Sequence, residues 1–172
     1  MAGRAIAEAV EMPGVCWGPD IEENMTLRDA NVEDVEDLFD IRCSVTENHQ
    51  SREELASLGI TVESVKEMVA SGDYVTTITE VDGQAVGFSM AQISEGYVFA
   101  CFVRAECHGQ GVGGALMKAA EEGLRRAGVK EAWLSTGEEE RFRAPGFYRY
   151  LGWVDSGYLD DGQIRFTKRL SW

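Results

Sequence analysis

Apolar positions recur with two periods along this chain, and the switches between them mark the elements. N-M-T-L-R-D at 24–29 reads as a short strand. Val32, Val35, Leu38, Phe39 and Val45 then repeat at helical spacing. Asn31 precedes them as a capping side chain, with Glu33 and Asp34 in the first turn, where the helix dipole favours acids. Asn48-His49-Gln50 breaks the period. Ser51 and Glu54 match a capping box for a brief turn, and Thr61 opens a helix with Val62, Val65, Met68 and Val69 on one face, stopped at Gly72.

Strand patterns follow. Tyr74–Val81 is rich in β-branched residues, Asp82-Gly83 is a hairpin signal, and Gln84–Ile93 answers it. Gly96 turns the chain into Tyr97–Val103, a nearly unbroken apolar run suited to a central strand covered on both faces. A glycine-rich junction leads to a helix with Val112, Leu116, Ala120, Leu124 and Ala127 on one side, closed by Gly128. Glu121–Arg125 and Glu122–Arg126 stand at the favourable i,i+4 spacing on it. Ala132–Thr136 reads as a strand and Pro145–Leu151 as a short helix. Gly152-Trp153-Val154 leads into another strand, and Asp161-Gly162 turns into the last, Ile164–Lys168. The order β-α-α-β-β-β-α-β-α-β-β predicts a three-layer α/β (α+β) architecture around a mostly antiparallel sheet. Residues 1–23, with Gly3, Pro13, Gly14, Gly18 and Pro19 and weak periodicity, read as a loosely ordered extension, and 24–172 as a single domain.

Composition narrows the function classes. At 172 residues and 44% hydrophobic, the chain needs no metal or disulfide to fold. Cys16, Cys43, Cys101 and Cys107 form no C-x-x-C pair, and His49 and His108 are the two histidines, so no zinc ligand set is present. Free thiols in a reducing cytoplasm are the simplest reading. A net charge of −14 argues against non-specific nucleic-acid binding and against anionic membranes. Apolar runs are too short to span a bilayer, and Met1–Val10 lacks the apolar core of a secretory signal. The acids are concentrated in residues 1–60, which hold 14 acidic and 4 basic side chains, whereas 100–150 hold 8 basic and 7 acidic. The first half would therefore draw in a cation, and the later stretch tolerates phosphate.

The junction His108-Gly109-Gln110-Gly111-Val112-Gly113-Gly114-Ala115 joins an apolar strand to an amphipathic helix. Glycines leave backbone N–H groups unobstructed, and the helix N-terminus adds partial positive charge, which together suit a pyrophosphate. A P-loop would end in Gly-Lys-Ser/Thr, and this sequence has Gly113-Gly114-Ala115. The dinucleotide string G-x-G-x-x-G is present, with Glu131 near the required distance. It follows three other strands rather than opening a βαβ repeat, which leaves it a weak competitor.

V-R-A-E-C-H-G-Q-G-V-G-G-A-L (Val103–Leu116) and A-P-G-F-Y-R-Y-L-G-W (Ala144–Trp153) resemble the GNAT superfamily of acyl-CoA-dependent N-acyltransferases. The first matches its Arg/Gln-x-x-Gly-x-Gly/Ala pattern, aligned on Gln110, Gly113 and Ala115 or on His108, Gly111 and Gly113. The second matches its A-x-x-F-Y-x-x-x-G-F segment. The resemblance covers about Met25 to Leu170. It implies a mixed sheet of six to seven strands, splayed between the fourth (Tyr97–Val103) and the fifth (Ala132–Thr136), with acetyl-CoA as co-substrate lying in the opening and no metal.

In that arrangement Phe102 and Val103 contact the pantetheine arm through their backbone, and the Val103 N–H polarises the thioester carbonyl. The amides of His108, Gly109, Gln110, Gly111, Val112, Gly113 and Gly114 hold the diphosphate. Tyr148 falls where the family donates a proton to the departing thiolate. The base for the attacking amine is left among Glu47, His49, Glu95 and Tyr97. His108 replaces the usual Arg, Arg141 stands where Asn is common, and Gly114 lacks the frequent hydroxyl. The expected acceptor is a small-molecule or peptide amine, for which the acidic first half points to a cation such as a polyamine or an aminoglycoside-like compound. The family also allows a homodimer. A non-catalytic acyl-CoA sensor or interaction module is the alternative, and a nucleotide-binding oxidoreductase the third reading.

Overall fold

β-branched and aromatic runs punctuated by glycine turns build one seven-stranded sheet. In this computed structural model, residues 24–46, 49–137 and 144–170 are described. The strands are β1 (Met25–Asp29), β2 (Tyr74–Val81), β3 (Gln84–Gln92), β4 (Tyr97–Val103), β5 (Glu131–Thr136), β6 (Val154–Tyr158) and β7 (Ile164–Arg169). Their spatial order is β1-β2-β3-β4-β5-β7-β6, antiparallel throughout except for the parallel β4–β5 pair. The β2–β3 hairpin turns through Asp82 and Gly83, both at positive φ (50° and 79°), the geometry that the Asp-Gly pair favours.

Among the described residues five helices accompany the sheet: α1 (Val35–Ser44), α2 (Arg52–Ser57), α3 (Val62–Ala70), α4 (Val112–Arg126) and α5 (Ala144–Tyr150). Capping boxes at Ser51 and Thr61 start α2 and α3, and Asn31 caps a 3-10 turn that runs into α1. The segment read from sequence as a brief turn after Ser51 is thus a six-residue helix, which places three helices between β1 and β2. The loose extension expected for residues 1–23 lies outside the described residues.

Alternation along the strands divides the core into two layers. Cys101 and Val103 of β4 pack with Leu116, Met117, Ala120 and Leu124 of α4 on one face. Ala100 and Phe102 pack with Leu38, Phe39 and Ile41 of α1 and Val65 of α3 on the other. Arg28 of β1 clamps the edge, donating to both oxygens of Asp34 at 2.8 Å and to Glu80 of β2. On α4, Arg125 and Arg126 both bond Glu122, while Glu121 carries the Lys168 ammonium and the Trp153 indole N–H. No helix among the described residues is long and apolar enough to cross a membrane.

The parallel pair positions the site. Among the described residues β4 and β5 share one registered pair, Tyr97 with Trp133, whose rings stack at 4.0 Å. The Trp133 N–H donates to the Gly96 carbonyl at 2.9 Å. Gly96 has φ +61°, and a Cβ there would stand 2.9 Å from the Glu131 carbonyl oxygen, so this close approach requires glycine. Beyond it β5 pairs with β7 along its whole length, and a V opens between β4 and β5 toward Val103 and Thr136.

Candidate active site

The C-terminal end of β4 supplies a backbone donor directed into the V. The Arg104 N–H donates to Val86 of β3 at 2.8 Å, and Val103 lies opposite Gly87 in the register. Alternation in an antiparallel ladder therefore turns the Val103 N–H and C=O away from β3, toward β5. His108 reaches back to this carbonyl, its Nε2 2.8 Å from the Val103 oxygen. A carbonyl only accepts, so Nε2 carries the proton. His108 Nδ1 and Gln110 Oε1 are both buried without a hydrogen-bond partner among the described residues.

After a short 3-10 turn (Ala105–Cys107), Gly109 and Gly111 bend the chain at φ +74° and +83°. Gly111 caps α4 with no side-chain hydrogen bond, and the first turn holds no acid. The first helical bond there is from Ala115 N–H to the Gly111 carbonyl, which leaves the amides of Val112, Gly113 and Gly114 without acceptors in the helix. A Cβ at Gly111 or Gly114 would meet nothing within 4 Å. This corner is an open concavity of N–H donors at a positive helix end, and it fits a diphosphate by its donor set and by the lack of an acid in the first turn of α4.

Aromatic and polar groups fill the closed part of the V. Tyr148, on α5, is 0% exposed, with ring contacts to Phe147, Trp153 and Phe166. Burial, then the neighbouring Cys101 and Tyr97, push its phenol well above the ordinary tyrosine value, so it stays protonated. Burial likewise pushes Tyr97 up to about 12, opposed by its hydrogen bond to Ser135 and reinforced by the charge of Asp161. The Ser135 hydroxyl donates to Gln163 Oε1 at 2.9 Å, and the Gln163 N–H donates to Asp161 in the β6–β7 turn at 3.0 Å. A polar chain thus runs from Tyr97 across β5 to that turn.

On the opposite face of the sheet lies a cavity of about 470 Å³. Its walls come from α1, α2, α3, β3 and β4, and its far rim is Asp161. Because Ala100 and Phe102 belong to β4 and Asp161 lies beyond β5, the cavity borders the mouth of the V. Arg42 and Asp161 are its charged residues among those described. The Arg42 guanidinium lies 4.5 Å over the Phe102 ring and donates to Gln50 at 2.6 Å.

Of the residues singled out from sequence, Phe102, Val103, the stretch from His108 to Gly114, Tyr97 and Tyr148 are brought to the V. His49 is exposed just beyond α1, its Nδ1 3.0 Å from the Val45 carbonyl oxygen. Glu95 sits in the β3–β4 turn at the closed end of the V, away from its mouth. Glu47, Arg141 and Arg143 lie outside the described residues. Sequence reasoning missed Ser135, Gln163 and the cavity-lining roles of Arg42 and Asp161. Asp161-Gly162 carried only a turn signal.

A family model described as "Acetyltransferase (GNAT) family" matches residues 33–153. Among solved structures, the chain is similar to a PaiA N-acetyltransferase from Thermoplasma acidophilum in complex with coenzyme A. The two are 17% identical, with a TM-score of 0.73, over 84% of this chain and 98% of that one. A ribosomal-protein-alanine N-acetyltransferase from Brucella melitensis is 16% identical with a TM-score of 0.67, over 84% and 99%. A GNAT-family acetyltransferase from Streptococcus pneumoniae is 16% identical with a TM-score of 0.65, also over 84% and 99%. No curated protein sequence matches the chain. These neighbours share the fold, and the family model spans most of the chain and both motifs' surroundings from α1 to Trp153, so the chain belongs to the GNAT acetyltransferase family.

Proposed function

We propose that this acetyltransferase moves the acetyl group of acetyl-CoA to a primary amine by direct attack at the mouth of the V. When bound, acetyl-CoA supplies the activated thioester. The amides from Gly109 to Gly114, at the turn held open by Gly109 and Gly111, hold its diphosphate, whereas the His108 N–H expected to join them is spent on the Ala105 carbonyl at 3.2 Å. The backbone of Phe102 and Val103 aligns the pantetheine arm, and the Val103 N–H donates to the thioester oxygen as negative charge develops there. Tyr148 donates toward the departing sulfur. The amine itself attacks, so no protein nucleophile is required, and Cys101, buried and with its thiol pushed up to about 12 by that burial, is inert.

The observation that carries this reading is a convergence. One β4 peptide N–H faces the V, the amide corner lies at the end of the same strand, and a buried phenol lies across the gap. Tyr97 and the Ser135–Gln163 hydrogen bonds hold the β6–β7 turn, whose exposed Asp161 stands at the rim where the amine's proton leaves to water. Free thiols at Cys43 and Cys101 support a reducing, cytoplasmic setting.

The test is calorimetry with acetyl-CoA, followed by thiol release with an amine panel, on the protein and on Tyr148→Phe. The variant is expected to keep acetyl-CoA affinity and to lose about 10²-fold in kcat, within the range for general acids. Unchanged kcat removes the role of Tyr148. Tight acetyl-CoA binding with no transfer to any amine identifies an acyl-CoA sensor instead, and preference for NAD(P) over acetyl-CoA returns the nucleotide reading.

A further inference from the structure

The cavity beside the V narrows the acceptor. Resting on the transferase reading above, we infer that the acceptor is a monoamine with an apolar, ring-sized body. The body lies between α1–α3 and the β3–β4 face, and the nitrogen points to the mouth near Asp161.

The walls make the case. Phe39 of α1, Leu55 of α2, Met68 of α3, Met90 of β3 and Phe99 of β4 surround the space. At about 470 Å³ it is of small-ligand size, and apolar walls with few polar groups are the usual composition of such a site. The single carboxylate among the described lining residues is Asp161, which is exposed at the rim rather than inside.

This arrangement treats the two ends of an amine differently. An ammonium arriving from solvent meets Asp161 first. Moving against the apolar walls removes its hydration and lowers its pKa, which favours the uncharged amine that attack requires. A second ammonium carried deeper would lose its hydration without meeting another carboxylate among the described lining residues. The cavity therefore selects against polyamines and aminoglycosides, although the overall acidity of the first 60 residues points toward them.

The experiment compares kcat/KM with acetyl-CoA for ethylamine, 2-phenylethylamine and spermidine, after acetyl-CoA binding has been measured by calorimetry. Burial of the ring is expected to favour 2-phenylethylamine over ethylamine by roughly 30- to 100-fold. Met68→Lys, at a half-buried wall position where a long stem can reach water, should lower kcat/KM for 2-phenylethylamine about tenfold or more. The same variant should leave acetyl-CoA affinity unchanged, which reports folding independently of the acceptor. Equal kcat/KM for the two monoamines, or preference for spermidine, overturns the inference while leaving the transferase reading intact. Faster use of octanoyl-CoA than acetyl-CoA also overturns it, since the cavity then houses the acyl chain. Absence of acetyl-CoA binding overturns both.

Discussion

Gly87→Ala tests whether packing behind the sheet sets the geometry of the V. Gly87 lies opposite Val103 in the β3–β4 register. A Cβ there would stand 3.0 Å from Leu116 Cδ1, 3.1 Å from the Phe102 carbonyl oxygen and 3.2 Å from Val112 Cγ1. Relaxed carbon contacts are about 3.5–4.0 Å, so each neighbour must retreat by several tenths of an ångström. Leu116 and Val112 are 0% and 1% exposed and packed within the core. Overpacking of this kind costs roughly 1–3 kcal/mol, offset by up to about 1 kcal/mol from the stiffer unfolded chain. The expected net loss is about 1–2 kcal/mol in urea denaturation. The functional effect follows from which atoms are pressed. The Phe102 carbonyl belongs to the peptide that carries the Val103 N–H, and Val112 opens the helix whose first amides form the diphosphate corner. Acetyl-CoA affinity should fall about 3- to 10-fold, and kcat should fall with it, because misplacement by about 1 Å can cost 10²-fold. Full stability with unaltered affinity and kcat would refute the claim that this contact holds the site in register.

Two further predictions concern charge and pH. The two hydrogen bonds from Arg28 hold the Asp34 carboxyl below its ordinary value, so its stabilisation is present above about pH 3.8 and is lost as pH falls through the lowered value. Asp34→Asn should cost about 1 kcal/mol at pH 7, toward the low end for charge-assisted bonds because Arg28 is 42% exposed, and the cost should vanish in acid unfolding curves. Tyr97 and Tyr148 shift the other way, above the ordinary tyrosine value of 10. Their contribution to stability should therefore be flat below pH 10 and fall as the unfolded chain ionises. Tyr97 alone should account for about 2–3 kcal/mol by pH 12, and Tyr97→Phe should flatten that alkaline limb in pH-dependent melts.

Legibility from sequence followed how local the physics was. Tyr74–Val81 and Tyr97–Val103 are bounded as read, because glycine turns and β-branched runs act within a few residues. The Gly109–Gly111 corner was legible because only glycine supplies two positive φ angles next to a helix start. α2 escaped because six residues make fewer than two turns, too few for a period to show. The Glu121 partners escaped because Lys168 lies 47 residues on, brought near by β7 pairing with β5. The cavity escaped for a related reason. Its walls come from five elements, and each wall residue taken alone is indistinguishable from a core residue.

The charge of the first 60 residues shows how composition and site can point in opposite directions without conflict. α1 carries both signals on one helix. Glu36 and Asp40, 61% and 56% exposed, face solvent and pair with Arg52, while Leu38, Phe39 and Arg42 turn inward to the cavity. Net charge is a property of the solvent-facing side, where it acts over a Debye length of about 8 Å at physiological ionic strength to gather cations near the surface. Selectivity for what reacts is set on the inner side, where desolvation makes one charge tolerable at the rim and a second one costly inside. In the acceptor reading proposed above, the exposed acids of α1 gather ammonium ions near the surface and the cavity admits those whose remaining body is hydrophobic.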